Sequence, residues 1–112
     1  MCEKCYALAE LFKAADKNPH ENYLPSIAFI EQLVKQGELE LYAGDCPLEE
    51  IEKHLEEESH YTICHYFVCK QCNEYFFIGV CIRGRPIYKV KKDLKDENFN
   101  NILWGRCGTF YK

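Results

Sequence analysis

At 112 residues the chain has the length of one domain with one core and is too short for two, while 47% apolar residues, with eight Tyr, seven Phe and one Trp, give that core ample material. No window approaches the roughly 18 uninterrupted apolar residues of a membrane span, and Met-Cys-Glu-Lys-Cys lacks the basic and apolar regions of an export signal, so a cytoplasmic protein with no membrane partner is expected. The net charge of -4 conceals a division: residues 1–60 carry five Lys/Arg against fourteen Asp/Glu, and residues 61–112 carry nine against four.

Cys5, Leu8, Phe12 and Ala15 recur at helical spacing and predict a first helix, stopped by Asn18-Pro19. A second helix is expected from Pro25, burying Ile27, Ile30, Leu33 and Val34 and ending at Gly37. The period then changes. Residues 38–43 alternate polar and apolar as a half-buried strand, and Asp45 is placed to cap a third helix with Leu48, Ile51 and Leu55 inward.

Residues 61–69, 75–82 and 87–90 read as strands joined by short turns, a meander whose middle strand is apolar on both faces and is expected to be the most buried. Lys89, Lys91, Lys92 and Pro86 suit an edge. A helix over 94–103 and a last strand over 107–111 are the weakest signals. The pattern predicts an α+β fold, N-terminal helices packed on a C-terminal antiparallel β-meander, as a single domain over 1–112.

Eight cysteines without an export signal read as reduced thiols or metal ligands. Residues 67–76, Phe-Val-Cys-Lys-Gln-Cys-Asn-Glu-Tyr-Phe, place a C-x2-C at a hairpin turn. This segment resembles a zinc knuckle, with Asn73 where Gly is usual. The resemblance implies a second thiol pair, and Cys2-Glu3-Lys4-Cys5 is the other C-x2-C of the chain. At the start of a helix those thiols meet the positive end of the dipole, which favours thiolate. Cys2, Cys5, Cys69 and Cys72 are therefore the candidate ligands of a structural zinc, although 63 residues separate the pairs. Cys46, Cys64, Cys81 and Cys107 read as small core residues.

Catalytic constellations fail on geometry. His54-Leu55-Glu56 with Cys69 and Cys72 resembles the zinc-dependent nucleobase deaminases in residue type, but Val68 stands where that family has Pro, and the thiol pair lies between strands rather than opening a helix. Adjacent strand residues Cys64 and His65 face opposite ways, and His60 lies about 13 Å from Cys64 along an extended strand, beyond hydrogen-bond reach. Neither C-x2-C has the α/β context of a thiol-disulfide oxidoreductase. No enzyme activity is expected.

Binding remains. The stretch containing Glu49, Glu50, Glu56, Glu57 and Glu58 offers an acidic surface to a basic protein, as in an inhibitor or a bacterial toxin-neutralising immunity protein. The alternative is a zinc-stabilised nucleic-acid-binding module using Arg83, Arg85, Lys89, Lys91, Lys92 and Lys95, with Tyr66, Tyr75, Phe77 and Tyr88 as stacking groups.

Overall fold

A computed structural model describes residues 2–111 and has the expected α+β arrangement. Helix α1, Glu3–Ala15, buries Cys5, Leu8, Phe12 and Ala15. Helix α2, Pro19–Lys35, starts earlier than the sequence suggested, because Pro19 occupies its first turn, where a missing N–H is harmless. Pro25 lies inside the helix and does not open it. An internal proline costs about 3 kcal/mol. Burial of Tyr23, Ile27, Ile30 and Leu33 on the same helix offsets that, at about 1.5–3 kcal/mol for a large apolar side chain.

The sheet comprises β1 (Leu39–Gly44), β2 (Thr62–Cys69), β3 (Tyr75–Cys81) and β4 (Ile87–Lys91), all antiparallel in the order β1-β2-β3-β4. The strand of residues 38–43 thus joins the meander as its first edge. Both β2 and β3 are internal, and β2 is the more buried of the two, which corrects the expectation for the middle strand. Ile63 and Phe67 of β2, with Phe76, Ile78 and Val80 of β3, face α1, α2, Leu48 and Ile51 in one core.

The opposite face is covered by the C-terminal tail. Cys64, Tyr66 and Phe77 pack there with Phe99, Leu103 and Tyr111. A bulge in β1 between Leu41 and Ala43 breaks the expected alternation, and Tyr42 packs its ring against Tyr75, Phe99 and Phe110. Among the described residues of the tail, Phe99–Ile102 alone is α-helical (α4). Residues 107–111 do not form a strand. Cys107 bridges Gly44, and Gly108, at φ 119° where a Cβ would fall 2.4 Å from the Tyr42 carbonyl oxygen, turns the chain into the 3-10 turn Thr109–Tyr111.

A 3-10 turn, Leu48–Glu50, leads into α3, Ile51–Glu57, with Ile51 buried and Leu55 partly so. Asp45 does not cap this helix. Its carboxylate is buried and accepts the backbone N–H groups of Cys64 at 2.7 Å, Trp104 at 2.8 Å and Gly105 at 3.2 Å. Three long-range donors outcompete a local cap and tie the tail to β2. A second tie joins Glu97 to Tyr66 Oη at 2.7 Å and to Lys91 Nζ at 2.5 Å. Among the described residues no helix is long and apolar enough to cross a membrane.

Candidate metal centre

Register places the two C-x2-C pairs side by side. Cys69 ends β2 opposite Leu39, and the turn after it returns at Tyr75, so Cys69 and Cys72 sit at the sheet end that the N-terminus of α1 overlies. The knuckle is closed by two backbone hydrogen bonds, from Asn73 N–H to the Cys69 carbonyl at 3.0 Å and from Cys69 N–H to the Glu74 carbonyl at 2.9 Å. Asn73 has φ 62°, the left-handed conformation for which glycine is usual and which Asn tolerates. Cys2 precedes the first turn of α1 and Cys5 lies within it.

The four Sγ atoms all lie within 4.8 Å of one another. Two contacts cross between the pairs: Cys2 to Cys69 is 3.6 Å and Cys5 to Cys72 is 3.3 Å. A tetrahedral ion with sulfur at 2.3 Å needs sulfur–sulfur edges of about 3.8 Å, so the cluster can hold a metal ion with small side-chain adjustments. No disulfide joins these thiols. Cys5 and Cys69 are buried, whereas Cys2 and Cys72 are partly exposed, which leaves an entry side for an ion.

Burial and mutual contact set the ionisation of the four thiols. Burial pushes the Cys5 and Cys69 thiols up, and for Cys5 hydrogen bonding to the neighbouring thiols acts in the same direction. Cys72 is lowered to about 6, because the N–H groups of Cys2 and Glu74 and the thiols of Cys5 and Cys69 outweigh its burial, which acts upward. A divalent cation would replace these protons and allow all four sulfurs to be thiolates. Lys4 and Lys70, one in each C-x2-C, both meet Glu38: Lys4 through its ammonium at 3.9 Å, Lys70 through its backbone N–H to the Glu38 carbonyl at 3.3 Å.

The other predicted site residues are placed apart from this cluster. Glu49, Glu50, Glu56, Glu57 and Glu58 are all exposed, on α3 and the turns that flank it. Arg83, Arg85, Lys89 and Lys92 are exposed around β4, with Arg85 at 3.6 Å from Asp16, whereas Lys91 is engaged by Glu97. Of the proposed stacking aromatics, Tyr66 is buried with its ring on Phe77 and Phe99, and Tyr88 donates to the Pro19 carbonyl at 2.7 Å.

Two polar arrangements escaped the sequence reading. His65 is fully buried, with Nε2 at 2.8 Å from the Cys46 carbonyl and no partner at Nδ1, and burial lowers it to about 4. Trp104 stacks on His60 at 3.6 Å and meets His54 edge-on at 5.3 Å. Neither has a local signature, since each depends on contacts across elements. Comparison with known proteins yields no match to a family model, a curated protein or a solved structure.

Proposed function

We propose that the chain is a non-enzymatic, protein-binding module stapled by a structural zinc ion, and that its acidic α3 surface meets a basic protein. The four converging thiols support the zinc: soft sulfur donors, in two C-x2-C turns with no open coordination position, suit a structural Zn2+ rather than a catalytic one. Bound there, the ion would supply cross-linking energy and no chemistry. It would tie α1 to the β2–β3 hairpin, and the loop it closes adds only slowly to the entropic cost.

The observation that carries the binding role is the exposure of Glu49, Glu50, Glu52, Glu56, Glu57 and Glu58 on one short helical segment, opposed locally by Lys53. Such a surface accelerates encounter with a basic partner and can cover that partner's substrate groove, as an inhibitor or toxin-neutralising immunity protein would. The nucleic-acid reading draws less support, because Tyr66 and Phe77, two of its stacking groups, pack beneath the tail.

The test is to isolate a stoichiometric partner from native source material and measure association with a Glu49→Lys/Glu50→Lys/Glu56→Lys variant. Association at low salt should slow about tenfold or more, the difference should shrink at high salt, and thermal stability should hold. Unchanged association would remove this surface from the account.

A further inference from the structure

Trp104 is the chain's single tryptophan, and the structure holds it in place while leaving 36% of it in water. Its backbone N–H is held by the buried Asp45 carboxylate at 2.8 Å, and its indole Nε1–H donates to the Thr62 carbonyl at 2.6 Å. His60 lies parallel to it at 3.6 Å and an interplanar angle of 10°. The next residue, Gly105, passes so close to Asp45 that a Cβ would fall 1.9 Å from the Asp45 carbonyl oxygen. Tyr61, beside His60 in the chain, is 66% exposed. A large, rigid, amphipathic side chain already fixed before contact loses little entropy on binding, which is why Trp and Tyr dominate binding hot spots.

The surroundings fix the partner's chemistry. His54 of α3 touches both Trp104 and His60 and pairs with Glu50 at 3.8 Å, so the platform is continuous with the acidic helix. Glu58, Ser59, His60, Tyr61, Ile82 and Arg83 line a hollow of about 260 Å³ beside it. The six glutamates of residues 49–58 outnumber Lys53 and Arg83. An aromatic surface in a negative field favours a cation that can also stack, and a guanidinium does so better than an ammonium. We infer that Trp104, Tyr61 and His60 form the anchor of the protein interface and receive arginine side chains of a basic partner. This rests on the reading of α3 as the partner surface and adds to it the residues that carry the affinity.

The experiment uses hexa-arginine and hexa-lysine peptides as probes of the full chain, with calorimetry for affinity and Trp104 emission as the local reporter. Hexa-arginine should bind at least fivefold more tightly than hexa-lysine and alter Trp104 emission. Tyr61→Ala, which removes an exposed ring and should leave the melting temperature unchanged, should reduce arginine binding about fivefold and erode the preference; Trp104→Leu should do so more strongly. Glu56→Lys/Glu57→Lys should weaken both peptides alike. If both peptides bind equally and Tyr61→Ala changes nothing while the glutamate reversal still weakens binding, the anchor is overturned and the acidic surface stands. If neither peptide binds, or the reversal has no effect, the acidic surface falls as well.

Discussion

The Sγ atoms of Cys2 and Cys69 stand 3.6 Å apart although 67 positions separate them in the chain. The second cross-pair, Cys5 and Cys72, repeats the relationship at 3.3 Å. Each pair by itself is a common tetrapeptide. Their meeting depends on the stripe of α1 burying Leu8 and Phe12 against the sheet, which sets the helix N-terminus over the β2–β3 turn.

Asn73 should respond to substitution according to its backbone and not its side chain. At φ 62°, Asn73→Gly should leave stability unchanged or raise it slightly, while Asn73→Ala should lower it by about 1 kcal/mol and Asn73→Val by more. Urea unfolding of the three variants checks the order. Equal stability of the Gly and Val variants would show that the knuckle turn is not held in this conformation.

Asp45 should matter more than any other single residue to the tail. Asp45→Ala leaves the N–H groups of Cys64, Trp104 and Gly105 without their acceptor, two of them in the chain that covers the sheet. A loss of about 2–4 kcal/mol is expected from unsatisfied buried donors. Limited proteolysis should then cut first within residues 93–111, and Trp104 emission should shift to the red.

Acid should destabilise the protein in two separable windows. His65 is held neutral to about pH 4, below its ordinary 6.5, so between those values the unfolded chain binds a proton that the native state excludes. Stability from this ring is complete above pH 6.5 and falls as the pH drops toward 4, by about 3 kcal/mol. Glu97 is also lowered: burial acts upward, but Lys91 and Tyr66 outweigh it. Its contribution is present above its ordinary 4.5 and is lost below it. Melting curves from pH 7.5 to 3 on chelator-treated wild type and chelator-treated His65→Leu separate the two, because acid would otherwise also displace a thiolate-bound ion over the upper window. The variant should lose the dependence between 6.5 and 4 and retain the one below.

The helices and the meander were legible because their signals are local. Leu8 and Phe12 repeat at helical spacing, and Phe76, Ile78 and Val80 alternate at strand spacing. The four-thiol cluster was legible because paired C-x2-C turns carry a fixed short spacing, even when the turns are far apart. Asp before a Pro-containing turn favours a helix cap, and only the tertiary arrangement brings Trp104 and Gly105 to Asp45. Pro25 misled for a similar reason: the packing of Tyr23 and Ile27 around it holds the helix through a residue that local preference would place at its start. The tail carries too little periodicity to show that Phe99 and Leu103 cover Tyr66.

The zinc staple is tested most directly by the metal content of the full chain purified under reducing conditions, measured alongside Cys69→Ser. About one zinc per wild-type chain is expected, with four sulfurs at 2.3 Å in its X-ray absorption spectrum, and little or none in the variant. Chelation should bring the wild-type melting temperature down to that of the variant. A wild-type protein that contains no metal, takes up none when zinc is added and melts at the same temperature with or without chelator would contradict the account.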